Sequence, residues 1–492
     1  MSRQVILIGI DGGTFNLLIP WMKRGELQYL HELYNHGSKA VLLSTIPPTT
    51  PPAWTSICTG VNPGKHGLYG FQKRVGNTYS LKLPSLSDVR IPRIWDYVAA
   101  HGIKSIVVNY PVTYPPKIKN GVMVSGMFSA STSRGKIVYP KEYGRLIPPN
   151  YRVEVSWERY SPKETEKLLN LTTEMVEARK ELTLSLMEEV EWEFLAVVFT
   201  AADRVSHLFW HMKGLILKVY QKIEEAIKEI THRSKSNVFI VSDHGFKGIK
   251  GVFRPNAWLM KEGYLETKRN VKAAALSITR GIGEKVLERI GALRLLNVVP
   301  RDLLREANVA YLSRIDWPRT KAFSLTREGI YINLKGREVK GSVTWEEYSR
   351  IVGEIASKLE KLRAPSGGKL VRKVFTKKEI FRGYSINQAP DIVYVPDEYA
   401  WDPQLGGEEF KKSRKNADHH IHGVFMAYGP EIKENYTVGI LSVVDVAPTI
   451  LHLLGLKIPK YMDGKVALDI FREGSEPATR VPERVPYSLL ST

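Results

Sequence analysis

The sequence contains little cysteine and no long apolar run. Its 492 residues include one cysteine, Cys58, which excludes an intramolecular disulfide and a metal site made of several cysteines. No stretch approaches the roughly 18 consecutive apolar residues that a membrane-spanning helix needs. The first apolar run, Val5–Ile10, is too short for the core of a secretory signal peptide. We therefore expect a soluble, cytoplasmic protein without a transmembrane segment.

Acidic residues are outnumbered by basic ones, 51 to 71, so the formal net charge is +20. Such a charge favours an anionic partner, for example a phosphate ester, a nucleic acid or an anionic membrane surface. A lysine-rich surface that serves solubility explains the same excess. With 43% hydrophobic residues the chain can bury a large core, which excludes a disordered or fibrous protein.

Short apolar runs typical of buried strands alternate with helical patterns along the chain. The runs lie at 5–10, 106–108, 195–199, 238–241, 392–395 and 424–427, and helical patterns lie at 163–190 and 215–230. This alternation predicts an α/β fold around a largely parallel sheet.

Residues 251–385 differ in pattern and are interpreted as an inserted cap. They contain a basic helical stretch at 270–290 and a second helical pattern at 345–362, and the sheet is predicted to resume near Pro390. The catalytic core would then comprise residues 1–250 and 386–475. Residues 476–492 are predicted to form a loose C-terminal tail.

Three of the predicted strands lead into aspartates. Asp11 ends the first run, Asp203 follows the run at 195–199, and Asp243 follows the run at 238–241. Ligands of open α/β sheets bind at the carboxyl ends of the strands. Three carboxylates at that edge would repel one another unless a cation lies between them. A divalent metal is the simplest explanation.

Histidines accompany these aspartates. His207 lies one helical turn after Asp203, His244 is adjacent to Asp243, and a downstream cluster contains His419, His420 and His422. Mixed aspartate and histidine ligation suits zinc, and also manganese or iron. Each element taken singly has a plainer explanation, such as a helix cap, a surface pair or a turn. Their combination at strand ends favours a two-metal site.

The candidate nucleophile is Thr50, which precedes two prolines. Threonine suits the N-cap of a helix and proline its first turn, so the Thr50 hydroxyl would lie at the positive end of a helix. A metal bound to that oxygen would lower its pKa and create a nucleophile at neutral pH. Without the metal ligands, an ordinary N-cap would explain the same residues.

The pattern resembles the type I phosphodiesterase/nucleotide pyrophosphatase family of the alkaline phosphatase superfamily. The resemblance extends from Asp11 to Gly464 and is strongest over residues 50–67, which read TPPAWTSICTGVNPGKHG. It implies a three-layer αβα sandwich with an inserted cap, and a site that holds two divalent metal ions. The zinc-type ligand set implied for one metal is Asp11, Thr50, Asp243 and His244.

For the other metal the resemblance implies Asp203, His207 and one histidine of the downstream cluster. Relatives place that histidine about four residues before a glycine that opens a strand ending in Gly-Pro, and Gly423 and Gly429 fit this spacing for His419. His420 and His422 stay open as alternatives. His66 is interpreted as structural.

Two departures from the family pattern concern phosphate binding. Members usually carry an asparagine shortly after the His-Gly pair, where residues 68–71 here read LYGF. Pro51 also lacks a backbone N–H directly after the nucleophile. Charge on the phosphoryl oxygens must then be met by the metals and by other side chains. Separately, Gly336 and Arg337 resemble a segment common in microbial members; the resemblance assigns it no role, but Arg337 is a candidate to face a phosphate.

The expected activity is hydrolysis of a phosphate ester, of the phosphodiesterase or nucleotide pyrophosphatase type, through a phosphothreonine intermediate. A phosphomonoesterase or phosphotransferase of the same superfamily is the first alternative. A sulfatase is disfavoured because Cys58 is followed by Thr59 and not by proline. A catalytically silent protein that binds polyanions or a membrane surface is the alternative from another class.

Overall fold

A nine-stranded sheet forms the centre of the computed structural model, which describes residues 3–129, 133–155, 160, 164–268 and 312–486. In chain order its strands are β1 (Val5–Ile10), β2 (Ser38–Leu43), β3 (Ser105–Tyr110), β4 (Gly121–Ser125), β5 (Val138–Tyr139), β6 (Phe194–Phe199), β7 (Asn237–Val241), β8 (His422–Tyr428) and β9 (Tyr436–Ser442). Their spatial order is β9-β2-β8-β7-β1-β6-β3-β4-β5. Only β8 and β5 run antiparallel to their neighbours within this sheet. The predicted, largely parallel α/β sheet is confirmed.

Helices cover both faces of the sheet, and β1 shows why. All six residues of β1 are buried, as expected for a central parallel strand. Ile6, Ile8 and Ile10 pack into the core on one face, whereas Val5 and Leu7 pack into the core on the other. This alternation follows from the two-residue period of a strand. The result is the three-layer αβα sandwich that the family resemblance implied.

The helices of the described chain range from one turn to seven turns. They are Phe15–Lys23, Gln28–His36, Thr50–Thr59, Pro63–His66, Ile94–Ala99, Arg134–Ile137, Thr165–Glu189, Ala201–Phe209, Lys213–His232, Pro255–Lys261, Trp345–Lys361, Lys377–Ile380, Val446–Leu453 and Glu476–Thr479. The helical patterns at 163–190, 215–230 and 345–362 are thus confirmed with small shifts of their ends. The pattern at 270–290 lies outside the described residues.

The helix Thr50–Thr59 packs unusually close to β1. A Cβ atom at Gly9 would lie 2.3 Å from the ring of Trp54, which is fully buried. Glycine at this position therefore lets the helix approach the sheet. That approach places the first residue of the helix beside the carboxyl end of β1, where Asp11 lies.

A third hydrophobic core lies apart from the two faces of the central sheet. It is built from residues between Phe253 and Trp401, together with Tyr79. The strand predicted at 392–395 exists as Ile392–Pro396, but it pairs with Val371–Thr376 and packs in this third core. The prediction that the central sheet resumes near Pro390 is therefore wrong; it resumes at β8. The predicted boundaries 251–385 of the cap stay a prediction.

Smaller strands complete the structure around this core. They are Lys73–Arg74, Leu81–Lys82, Gly245–Gly248, Gly251–Phe253, Ala322–Phe323, Tyr331–Ile332, Tyr399–Trp401, Phe410–Lys411, Ala417–His420, Ile458–Pro459 and Arg484–Val485. The last of these pairs with Ile458–Pro459, and the helix Glu476–Thr479 packs against the core on one face of the sheet. The predicted loose tail is therefore wrong as far as residue 486, because this segment is held by backbone pairing and apolar contact.

Candidate active site

Three adjacent strands deliver the predicted aspartates to one edge of the sheet. The strands β7, β1 and β6 are neighbours, and their carboxyl ends lead to Asp243, Asp11 and the helix Ala201–Phe209 that carries Asp203. All three carboxylates are fully buried. The backbone N–H of Asp11 donates to the carbonyl of Phe199 over 3.0 Å, and Gly12 N–H donates to Asp243 Oδ1 over 3.2 Å. Sheet pairing thus fixes the three carboxylates relative to one another.

The downstream histidine cluster reaches this edge through a short antiparallel pairing. Ala417–His420 pairs with Gly245–Gly248, with His419 opposite Phe246. Alternation along the strand directs His419 to the face opposite that of its neighbours His420 and Asp418. Accordingly His419 Nε2 lies 3.3 Å from Asp203 Oδ2, whereas His420 Nε2 lies 3.3 Å from Arg372 Nη1. Among the three candidates, only His419 belongs to a candidate metal group of the described chain.

The first candidate metal group consists of Asp203, His207 and His419. Asp203 and His207 share one face of their helix, as their spacing predicted, and His207 Nε2 lies 3.5 Å from Asp203 Oδ2. Both histidine nitrogens therefore converge on the same carboxylate oxygen.

The second candidate group consists of Asp11, Asp203 and His244. His244 Nε2 lies 3.7 Å from Asp11 Oδ1 and 3.2 Å from Asp243 Oδ2. Asp203 thus belongs to both groups and lies between them, a detail that the sequence did not indicate.

Thr50 lies next to the second group. Its side chain is fully buried, and its Oγ1 lies 3.2 Å from His244 Nε2. The helix begins at Thr50 with Thr49 as its N-cap, so Thr50 occupies the first helical position and not the predicted cap. Thr50 therefore still lies at the positive end of a helix, one position later than predicted.

Backbone carbonyls orient the three histidine rings. The Nδ1 atoms of His207, His244 and His419 lie 3.1, 3.1 and 3.0 Å from the carbonyl oxygens of Ala417, Gly245 and Pro48. A carbonyl accepts only from N–H, so in the neutral ring each Nε2 presents its lone pair to the carboxylates. The Thr50 hydroxyl then donates to His244 Nε2. Partners of this type orient the histidine ligands of metal sites.

Four oxygens of these three carboxylates have no hydrogen-bond partner within the described part of the chain. They are both oxygens of Asp11, Oδ2 of Asp203 and Oδ2 of Asp243. His207 Nε2 and His419 Nε2 lie 3.5 and 3.3 Å from Asp203 Oδ2. Buried polar atoms in native proteins are almost always satisfied, so these residues fit a site that holds cations.

The electrostatics of the site agree with this fit. Burial and the neighbouring carboxylates Asp243 and Asp203 raise the pKa of Asp11 well above its usual range. Burial likewise raises the pKa of Asp243 and lowers that of His244. For Asp203, burial alone would raise the pKa, but Arg204 and His207 outweigh it and hold the pKa well below its usual range. A divalent cation would relieve the repulsion among the carboxylates.

Arg204 is the main residue of the site that the sequence analysis missed. Its guanidinium contacts Asp203, and its Nε and Nη2 lie 2.8 and 2.9 Å from the two carboxylate oxygens of Glu154. Its position next to Asp203 in the sequence was a usable signal. Glu154 is 50 residues away in the chain, and no local pattern indicates its role.

His66 and Arg337 both make contacts within the fold. His66 is buried, receives the backbone N–H of Leu68 on Nδ1 over 3.1 Å and lies 3.1 Å from Ser56 Oγ through Nε2, which agrees with a structural role. Arg337 does not face the site, because its guanidinium pairs with both oxygens of Asp391 over 2.6 Å. The suggestion that Arg337 faces a phosphate is therefore wrong.

A cleft of about 670 Å³ opens onto the site. Its walls include His207, His419 and Arg204 on the side of the sheet, Phe71 and Phe128 on a second side, and Arg327 and Glu328 from the third core. In the segment 68–71 the family pattern places an asparagine. Here the segment contributes Phe71 to the cleft wall, which makes this side of the wall aromatic. The cleft is large enough for a phosphate ester with a sizeable leaving group.

Comparison with protein families identifies the class of protein. The family model described as type I phosphodiesterase/nucleotide pyrophosphatase matches residues 5–424. The chain belongs to this family, within the alkaline phosphatase superfamily, and is a hydrolase that acts on phosphoric esters. A search of curated proteins finds no significant match.

Solved structures share the fold. Murine ectonucleotide pyrophosphatase/phosphodiesterase 5 is similar with a TM-score of 0.53 and 14% identity, covering 96% of this chain and 100% of the murine chain. Its inactive threonine-to-alanine variant in complex with AMP gives a TM-score of 0.53 at 13% identity, with the same coverage. The human protein gives 0.51 at 14% identity, again covering 96% and 100%. No helix of the described chain combines the length and apolarity needed to cross a membrane.

Proposed function

We propose that this protein is a metal-dependent phosphodiesterase in which Thr50 forms a covalent phosphothreonine intermediate. The observation that supports the proposal is the arrangement of a fully buried hydroxyl 3.2 Å from His244 Nε2, beside carboxylate oxygens that lack partners. A hydroxyl in this position fits a nucleophile or an ion ligand.

Two divalent ions, zinc or alternatively manganese or iron, would be held at this edge of the sheet by the two ligand sets that the family resemblance implies. Asp11, Asp243, His244 and Thr50 would hold one, and Asp203, His207 and His419 the other. Bound there, such ions supply positive charge to a phosphoryl group and lower the pKa of a hydroxyl or of water.

The residues of the chain then perform the reaction in two steps. The Thr50 hydroxyl gives up its proton to solvent, and its Oγ1 attacks phosphorus in line with the leaving group. The bond from phosphorus to the leaving-group oxygen breaks, and the phosphoryl group stays on Thr50. Water hydrolyses this intermediate and restores the threonine.

The charge of the cleft favours a diester over a monoester. A monoester carries a second negative charge that requires an additional cation. Arg204 is already paired with both Glu154 and Asp203, so its charge is largely neutralised. The guanidinium groups of the cleft, Arg204 and Arg327, are outnumbered by the carboxyl groups of Glu154, Glu328 and Asp402.

Hydrolysis of a nitrophenyl phosphodiester and the matching monoester by the same preparation tests this proposal. The enzyme is stripped with a chelator and refilled with zinc or manganese. We expect metal-restored cleavage that favours the diester. A preference for the monoester would shift the function to a phosphatase at the same site, and equal activity with and without chelator would reject the metal-dependent reaction.

A further inference from the structure

The carboxylate of Asp203 has different neighbours on its two oxygens. Oδ1 accepts from Arg204 Nη1, whereas Oδ2 lies 3.5 Å from His207 Nε2 and 3.3 Å from His419 Nε2. The torsion that rotates an aspartate carboxylate about its Cβ–Cγ bond has only a broad preference, so a second group is needed to hold one orientation. Arg204 is such a group, and its contact with Oδ1 leaves Oδ2 facing the two histidines.

The guanidinium of Arg204 is itself held by a residue distant in the chain. Arg204 is buried, and its Nε and Nη2 donate to the two carboxylate oxygens of Glu154 over 2.8 and 2.9 Å. A bidentate pair of this kind fixes the plane of the guanidinium as well as its position. The Thr200 hydroxyl adds a contact to Glu154 Oε1 over 3.4 Å. Arg204 therefore cannot move away from Asp203 without breaking its pair with Glu154.

A fully buried arginine fixes the segment that carries Glu154. Arg179 Nη1 donates to the carbonyl of Val198 in β6 over 3.0 Å, and its Nη2 lies 3.3 and 3.2 Å from the carbonyls of residues 152 and 153. Because β6 leads into the helix Ala201–Phe209, the end of one strand supports both sides of the carboxylate contact.

The charges of this contact differ from those of a simple ion pair. One guanidinium, that of Arg204, lies between two carboxylates, those of Glu154 and Asp203, so one negative charge is left without a cation. Within the described part of the chain, Asp203 Oδ2 has no hydrogen-bond partner, and Asp203 belongs to both candidate metal groups. The arrangement matches the outer partners that orient the carboxylate ligands of metal sites.

We propose that Arg204, anchored by Glu154, is a positioning residue that orients Asp203 for the ion of the first candidate metal group. The inference rests on the metal site of the proposed function and concerns one of its two ions. Arg204 acts through Asp203 and does not enter the reaction. Without the anchor the Asp203 carboxylate is free to rotate, so this ion should bind more weakly. The ion beside Thr50 should be nearly unaffected, because its proposed ligands do not include Asp203.

Zinc titration of the full-length protein, stripped of metal and in competition with a chromophoric chelator, tests this role. Wild type should bind two ions per chain. We expect Glu154→Gln to lower the affinity for one ion by about 10–100-fold, as is typical when an outer partner of a metal ligand is lost, and to leave the other within about twofold. The substitution keeps the size of a partly exposed side chain, so the fold should be retained.

Activity gives a second measurement, one that a purely structural defect would not reproduce. At limiting zinc, Glu154→Gln should cleave a nitrophenyl phosphodiester more slowly than wild type. Zinc raised in proportion to the lost affinity should restore kcat to near the wild-type value, because the reacting groups are intact.

Two further variants control these measurements. Arg204→Lys keeps a positive charge beside Asp203 but loses the bidentate pair with Glu154, so it should weaken the same ion. Glu189→Gln breaks a surface pair with Arg145, whose atoms lie 2.6 Å apart, and should leave both zinc affinities unchanged.

The outcomes separate this inference from the proposed function. Unchanged affinity for both ions in Glu154→Gln, equal weakening of both, or a loss of activity that added zinc does not restore would each overturn the positioning role while leaving the metal-dependent function in place. Wild type that binds two zinc ions but cleaves no diester would overturn the proposed function alone. Wild type that binds no zinc would overturn both.

Discussion

Two buried clusters of carboxylates in this molecule are partnered in opposite ways. In the third core, Asp391 is fully buried and its oxygens contact Arg337, Lys377 and Tyr348 at 2.6, 2.7 and 2.8 Å. At the edge of the central sheet, Asp11 is equally buried, and neither of its oxygens has a partner among the described residues. Burial alone therefore does not distinguish a structural carboxylate from a functional one.

The difference appears in the pKa values of the two aspartates. Burial would raise the pKa of Asp391, but Arg337 and Lys377 outweigh it and lower the pKa to about 2. Burial and two neighbouring carboxylates raise the pKa of Asp11. A buried carboxylate with its own cations is compensated within the fold, whereas one that lacks them is stable in its charged form only with an added cation.

Removal of the Thr50 hydroxyl should have the largest effect. We expect Thr50→Ala to reduce kcat/KM for a phosphodiester by on the order of 10³-fold or more, because the attacking oxygen is lost. Thr50→Ser keeps the hydroxyl and should retain much of the activity. Steady-state kinetics on metal-loaded enzyme checks both variants, and a fully active Thr50→Ala would remove the nucleophile assignment.

The two aspartates should respond in opposite directions to substitution by asparagine. In metal-free protein, Asp391→Asn leaves buried cations underpaired and should reduce the free energy of unfolding by about 3–5 kcal/mol. Asp11→Asn relieves repulsion and should leave the free energy of unfolding equal or higher.

Urea unfolding in the presence of chelator measures both free energies. Asp397→Asn is a suitable control, because this aspartate pairs with Arg372 at the surface over 2.8 Å and should contribute about 1 kcal/mol or less. If Asp11→Asn destabilised the metal-free protein as much as Asp391→Asn does, the proposed difference between the two clusters would be wrong.

Addition of a divalent ion should stabilise the protein through one cluster only. At about 100 times the dissociation constant, a single bound ion adds about 2.7 kcal/mol to the free energy of unfolding. We expect Asp391→Asn to keep this increment and Asp11→Asn to lose most of it. Urea unfolding with and without zinc measures this increase in the free energy of unfolding. An equal increase in both variants would show that the ion does not bind at Asp11.

Acid should weaken the partnered cluster. Because the pKa of Asp391 is lowered from 3.8 to about 2, its contribution is present above about pH 4 and is lost as the pH falls toward 2. The contribution amounts to about 2 kcal/mol. The raised pKa of Asp11 acts with the opposite sign, so its protonation favours the folded metal-free state as the pH falls. Unfolding midpoints of wild type and Asp391→Asn between pH 5 and about 2.5 should converge, and parallel curves would contradict this.

The sequence predicted the parts of the site that depend on local pattern. Asp11 and Asp243 follow apolar runs that end at the edge of the sheet, and Asp203 and His207 are one helical turn apart. The family spacing already favoured His419 among the three downstream histidines, and the pairing of Ala417–His420 with Gly245–Gly248 directs that same residue to the site.

The errors and omissions share one cause, which is contact between residues distant in the chain. The partner of Arg337, Asp391, is 54 residues away in the chain, so the local sequence does not show that this guanidinium is already paired. Glu154 contacts the site only because the fold places it beside Arg204. The strand at 392–395 has the composition of a buried strand, but its local sequence does not reveal which of the three cores it joins.

An anomalous-scattering map of a zinc-reconstituted crystal would test the central claim most directly. The account predicts two ions, one among Asp203, His207 and His419 and the other among Asp11, Asp243, His244 and Thr50. A map that shows no ion at these residues, in crystals whose protein hydrolyses a phosphodiester, would contradict the assignment of the site.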